Sequence, residues 1–222
     1  MSFPELHDYQ RLYKRFVTGG MQPREFVTRA GELDGKVALD LCAGDGGITD
    51  VLRGVGARVV MIEMHESMLT KEYRFKVLPD VSVLLQHVRP ALEACAKHGA
   101  LFDAAFCRQG VNYWLDQDAL TKLAVVLRSG APFIFNTFAR CPPESPHPPL
   151  VKQYTLGDDH FVEVSWYEYG HVHHVQCCPG FPPHVTSFRY LSEANLKDLF
   201  AKDFELCIEH VGASLQCIAR RK

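Results

Sequence analysis

Two stretches of this chain hold the residues best able to do chemistry. The first is Asp40-Leu41-Cys42-Ala43-Gly44-Asp45-Gly46-Gly47, a carboxylate followed by a glycine-rich turn. Glycine lets backbone amides approach a ligand with no Cβ in the way. A second acid, Glu63, follows an apolar run, where a carboxylate can accept hydrogen bonds from both ribose hydroxyls of an adenosine. A phosphate-cradling P-loop would need Gly-Lys-Ser/Thr, which is absent. The dinucleotide pattern G-x-G-x-x-G/A fails because Thr49 holds its last position.

The second stretch is rich in histidine and aromatic residues. Trp166, Tyr167 and Tyr169 adjoin His171, His173 and His174, with Cys177, Cys178 and His184 beyond. Strand alternation puts His171 and His173 on one face and His174 on the other. A base that deprotonates a nucleophile is most often a histidine or a carboxylate, so His171 and His173 are candidate catalytic residues, with Tyr113 beside them. The Cys and His spacing fits no standard zinc pattern, and no metal is expected.

These groups need a scaffold, and the chain alternates short apolar runs with helical ones. Strands are expected at 36–41, 58–63, 81–86, 102–107 and 132–138, with helices at 48–55, 67–75, 90–98 and 116–127 between them. Such alternation implies right-handed crossovers and a parallel sheet. Ligands then bind beyond the carboxyl ends of the strands, which is where the glycine-rich turn falls. Five prolines between Cys141 and Pro149 make a loop. Residues 161–167 and 171–176 read as an antiparallel hairpin about Tyr169-Gly170, Ser192 as a helix N-cap, and 205–211 with 214–219 as a closing antiparallel pair. The expected organisation is a single domain over 1–222: a helical lead-in at 1–35, a core at 36–138, an insertion at 140–190 and a closing segment at 191–222.

Composition narrows the function classes. The chain has 222 residues, 47% hydrophobic and 23% charged, with a formal net charge of −2, values ordinary for a globular domain. Basic residues form no stripe, which argues against a nucleic-acid partner. No run approaches the roughly 18 apolar residues of a membrane span, and no basic-then-apolar start resembles a secretory signal. Cys42, Cys107, Cys207 and Cys217 sit in apolar runs and read as reduced thiols. A cytoplasmic monomer or homodimer is expected.

The stretch from about 36 to 138 resembles the class I S-adenosylmethionine-dependent methyltransferases. Their Asp-x-x-x-Gly-x-Gly loop matches Asp40, Gly44 and Gly46, and their second-strand acid matches Glu63. The resemblance implies an α/β, doubly wound, seven-stranded, mostly parallel sheet of Rossmann-like type whose last strand runs antiparallel, consistent with the short turn at Gly212-Ala213. It implies S-adenosylmethionine as cofactor, held by Asp40, Ala43, Gly44, Asp45, Gly46, Glu63, Met64 and Met68. Gln86-His87-Val88 stands where many members carry an acid against adenine, and either Gln86 or His87 can supply the acceptor atom. Arg108 and Gln109 follow the fourth strand, where the family passes the methyl group. The acceptor would be a small molecule, met by Tyr9 and Tyr13 of the lead-in, Asn112, Tyr113, Trp114, Trp166 and His171. Two other readings stay open: an RNA or protein methyltransferase, of whose Asn-Pro-Pro-Tyr motif Asn112-Tyr113-Trp114 is only an echo, and a cofactor-binding protein with a non-methylating or structural role.

Overall fold

A computed structural model describes residues 22–139, 141, 147–156, 159–180, 183–212 and 214–222. Tyr9 and Tyr13 lie outside the described residues. Strands β1 (Val37–Leu41), β2 (Arg58–Glu63), β3 (Val81–Leu85), β4 (Ala104–Cys107) and β5 (Pro132–Phe138) pair in parallel in the order β3-β2-β1-β4-β5. Strand β11 (Ser214–Arg221) then runs antiparallel against β5, and β10 (Phe204–Val211) pairs outside it. The result is the expected seven-stranded sheet, reversed only at its last strand.

Both faces of the sheet are covered, so its central strands read as nearly continuous apolar runs. Helices α1 (Pro23–Thr28), α2 (Gly47–Gly54) and α3 (Lys71–Phe75) bury Phe26, Ile48, Leu52 and Tyr73 on one side with Met61, Phe106 and Ile134. Helices α4 (Val88–Lys97), α5 (Gln117–Val126) and α6 (Glu193–Phe200) cover the other with Leu92, Leu120, Leu123 and Leu196. On that side Phe133 and Phe135 alternate onto one face of β5 and stack 4.7 Å apart, and Phe200 stacks on Phe135 at 5.2 Å. Asp116 caps α5 by accepting from Ala119 N–H, and Ser192 caps α6 by accepting from Asn195 N–H, the latter as expected from the sequence.

The insertion is larger than the expected hairpin. Strands β7 (Asp159–Glu168) and β8 (His171–Cys177) form it about Tyr169 and Gly170, whose φ values of 49° and 80° suit a two-residue turn. Flanking strands β6 (Leu150–Leu156) and β9 (His184–Arg189) extend it to a four-stranded antiparallel sheet in sequence order. These edge strands were not legible because an edge strand with little burial has no reason to keep an apolar-polar period: Leu150, Val151, Lys152 and Gln153 are all exposed. No helix among the described residues is long and apolar enough to cross a membrane.

The phenylalanine stack is the centre of the α6-side core. Phe135→Ala should lower unfolding free energy by about 3–5 kcal/mol, read by denaturant titration with an unchanged m-value. A loss below about 1 kcal/mol would show that the stack contributes little.

Candidate functional site

Alternation along β1 sends Leu39 and Leu41 into the α4–α6 core, so Ala38 and Asp40 point to the α2 side. Asp40 is buried, and its Oδ2 accepts from Thr49 twice, from the backbone N–H at 3.1 Å and from the hydroxyl at 2.7 Å. One carboxylate thereby fixes the first turn of α2 against the end of β1. Burial pushes the Asp40 carboxyl up to about 7, against the lowering effect of the two Thr49 bonds.

Glu63 closes the same loop from β2. Its Oε2 accepts from Gly44 N–H at 3.0 Å and its Oε1 from His65 N–H at 2.9 Å, so the turns after β1 and β2 are joined through one buried side chain. Gly44 and Gly46 take positive φ of 58° and 88°. A Cβ on Gly46 would come within 2.3 Å of the Tyr73 ring, whereas one on Gly44 would meet only open space. Gly46 is thus demanded by packing and backbone together, and Gly44 leaves a bare stretch of backbone facing a cleft.

That cleft is lined by Asp40, Cys42, Ala43, Gly44, Asp45, Gly47 and Ile48 on one side and by Arg108 and Gln109 on the other. Cys42 and Gln109 hold positive φ of 55° and 64°, and the one other described non-glycine residue that does so is Tyr169 at the hairpin turn. Strained backbone of this kind persists where surrounding structure enforces it. For Gln109 the enforcement is a bond from its N–H to Asn136 Oδ1 at 2.9 Å. Cys42 packs against Gly110, where any Cβ would lie 2.5 Å from that of Cys42. Arg108 Nε is buried with no hydrogen-bond partner among the described residues, so a cationic group beside the cleft keeps an unused donor.

The remaining expected cofactor residues divide. Met64, next to Glu63, is exposed, Gln86 is half-buried, and the His87 Nδ1 accepts from Arg89 N–H as the cap of α4. Met68 and Val88 are buried, Val88 within the α4–α5 core.

The acceptor-side expectations need correction at several positions. Trp114 is only 3% exposed and packs on Phe133 in the core, so it offers no open wall. Asn112 spends its amide on structure, accepting from the Thr137 hydroxyl at 2.8 Å and donating to Arg189 O at 2.7 Å. Tyr113 is half-exposed, meets Phe188 edge-on at 5.8 Å, and has its hydroxyl beside Thr186. Desolvation holds that hydroxyl above the ordinary phenol range, so at neutral pH Tyr113 is a donor and not a base. Phe138 stacks on the same Phe188 at 5.0 Å and is itself half-exposed. Thr186 and Phe188 were not anticipated, since strand β9 itself was not, and Phe138 was expected only as the last residue of the fifth strand.

Register settles the histidines. Thr186 and Phe188 share a face of the second sheet with Val172, His174, Glu163 and Ser165, so this face abuts Tyr113. His171 and His173 lie on the opposite face, where His173 stacks on Trp166 at 5.1 Å and His171 Nδ1 meets Tyr169 O at 3.1 Å. His171, His173 and Trp166 are therefore turned away from the wall that was expected to contain them. No group of three or more His, Cys, Asp or Glu among the described residues is arranged to hold a metal ion.

Comparison with known proteins bears on the fold. No family model and no curated protein matches the sequence. Solved structures do: an S-adenosylmethionine-bound amino pentose methyltransferase of calicheamicin biosynthesis from Micromonospora echinaspora is similar with a TM-score of 0.72 at 16% identity, covering 99% of this chain and 98% of its own. An S-adenosylmethionine-dependent methyltransferase from Clostridium acetobutylicum gives 0.70 at 15% identity over 97% and 98%. A 1,6-didemethyltoxoflavin-N1-methyltransferase from Burkholderia thailandensis, with its substrate and S-adenosylhomocysteine bound, gives 0.61 at 16% over 98% and 84%. The fold is that of the class I methyltransferases.

The buried acid has a measurable signature. Folding raises the Asp40 pKa from 3.8 to about 7, so the folded state holds the proton more tightly and gains stability from it at low pH. That gain is lost as pH rises from about 4 to about 7. Relative to Asp40→Asn, the stability of the native chain should fall across this window and level off above it. A difference constant with pH would contradict the buried titration.

Proposed function

We propose that this chain transfers a methyl group from S-adenosylmethionine to a protic nitrogen or oxygen of a small, ring-bearing molecule. The observation that carries the reading is the pairing of Glu63 with the bare turn at Gly44 on one side of the cleft, opposite an unpartnered Arg108 Nε. Those groups match the parts of the cofactor. Glu63 retains lone pairs for the ribose hydroxyls, the backbone of 43–46 and the acids Asp40 and Asp45 suit the amino-acid tail, and Arg108 suits its carboxylate. Met64, an exposed thioether beside Glu63, and Gln86, a half-buried amide after β3, are the residues that would meet the adenine.

The cofactor, once bound, supplies an activated methyl group, and what remains for the protein is orientation and exclusion of water. Tyr113, Phe138 and Phe188 form an aromatic wall at the carboxyl ends of β4 and β5 against which a ring can lie. Two of the similar solved structures are an amino pentose methyltransferase and a 1,6-didemethyltoxoflavin-N1-methyltransferase, which agrees with a small cyclic acceptor. The chain's net charge of −2 and lack of a basic stripe speak against a nucleic acid. A soluble, cytoplasmic location is part of the same proposal.

Two measurements test it. Glu63→Ala should weaken S-adenosylhomocysteine binding by calorimetry about 10–100-fold, the cost of roughly 1.5–3 kcal/mol for hydrogen bonds to a charged group; unchanged affinity would sink the cofactor assignment. Incubation with S-adenosylmethionine and a panel of ring phenols and ring amines should yield a product heavier by one methylene group. Tight cofactor binding with no methylated product across the panel would favour a non-methylating role.

A further inference from the structure

The second sheet carries polar side chains on its buried face and a row of valines on its exposed one. A sheet that covers a domain normally turns apolar side chains inward and polar ones outward. Here Val151, Val164, Val175 and Val185 stand in one register row across all four strands on the more exposed face. The buried face carries Glu163, Ser165, His174, Gln176 and Thr186 among Phe161, Val172 and Phe188. Burying polar side chains costs free energy unless they are paired, and here one histidine falls short of that: the buried His174 Nε2 makes no hydrogen bond among the described residues. His174 Nε2 lies 3.2 Å from Glu163 Oε1, both side chains being under 20% exposed (18% and 19%), and Lys152 Nζ stands 3.8 Å from that same oxygen. Ser165, His174 and Thr186 are direct cross-strand partners. The row therefore ends at Thr186, which meets the Tyr113 hydroxyl at the aromatic wall.

We propose that His174, oriented by Glu163, is the proton acceptor for the substrate's nucleophile, which is a hydroxyl or amino group on a planar ring seated against Tyr113, Phe138 and Phe188. This deepens the methyl-transfer reading and rests on it. The nucleophile's X–H electron pair stays on X and forms the new bond to carbon, the carbon–sulfur pair leaves with sulfur, and the proton passes to the His174 imidazole. The imidazolium so formed faces the Glu163 carboxylate, which offsets its charge, as a carboxylate behind a histidine does in other acid–base pairs. The groups facing His174 are Glu163 and Ser165 on β7, Thr186 on β9 and, through Glu163, Lys152 on β6. Tyr113 lies across the interface, where as a donor it can hold the substrate's heteroatom but not take its proton.

The test separates proton transfer from methylation. 4-Nitrophenol is added to the full-length protein saturated with S-adenosylhomocysteine, at a pH below the probe's own ionisation, and the absorbance of 4-nitrophenolate is followed. The native chain should bind the probe and convert it to the anion. His174→Gln should abolish the anion signal while retaining probe binding, Glu163→Gln should reduce it, and His171→Gln and His173→Gln, on the opposite face, should leave it intact. With any phenol or amine that the enzyme methylates, His174→Gln should lower kcat about 100-fold or more with KM nearly unchanged. Calorimetry with S-adenosylhomocysteine should give native affinity for every variant, so a failure there indicts the cofactor reading and not this one. An anion signal that survives His174→Gln, a bound probe that stays neutral, or a failure of the probe to bind would each overturn the assignment.

Discussion

The loop at 42–47 is held by two carboxylates outside it, and the site follows from that arrangement. Asp40 draws the first turn of α2 down through Thr49, and Glu63 draws Gly44 across to β2. Both acids are buried, so neither bond competes with water, and each is stronger for the low dielectric around it. The cost is a carboxyl at position 40 whose pKa burial pushes to about 7. What the chain obtains is a turn of bare backbone whose amides and φ angles are fixed before any ligand arrives. Such preorganisation is the part of binding that a flexible glycine loop on its own would lack.

The opposite wall is held with equal economy. Gly110 is the only residue that fits against Cys42, and Asn136 fixes the strained Gln109. Asn112 then ties this wall to the second sheet by bonding both Thr137 and Arg189. Among the described residues the second sheet is therefore anchored by the Asn112 amide, by Arg189 donating to Leu115 O, and by the ring cluster of Tyr113, Phe138 and Phe188. Position on that sheet, and not residue type alone, decides which histidine faces the aromatic wall.

That distinction marks the limit of what could be read from the amino acids. The parallel core was legible because each central strand is buried on both faces, and the Asp40–Gly44–Gly46–Glu63 spacing was legible because backbone geometry demands those types. Ser192 announced its helix by capping chemistry. The second sheet was legible only as its central hairpin, since residues 150–153 of β6 are all exposed and carry no period. Without β9 there was no register to say which face of β8 meets the core. The alternation of His171, His173 and His174 was plain, but its sign was not. Trp114 illustrates a related ambiguity, because a large aromatic after a strand suits a substrate wall and a helix–sheet core equally well, and burial against Phe133 decided for the core.

The most direct test of the account is a crystal structure of the protein grown with S-adenosylhomocysteine. The ligand should lie across the carboxyl ends of β1, β2 and β4, with its ribose hydroxyls on Glu63, its amino-acid tail against residues 43–46 and its sulfur turned toward Tyr113. Density for the ligand elsewhere, or a ribose that makes no contact with Glu63, would contradict it.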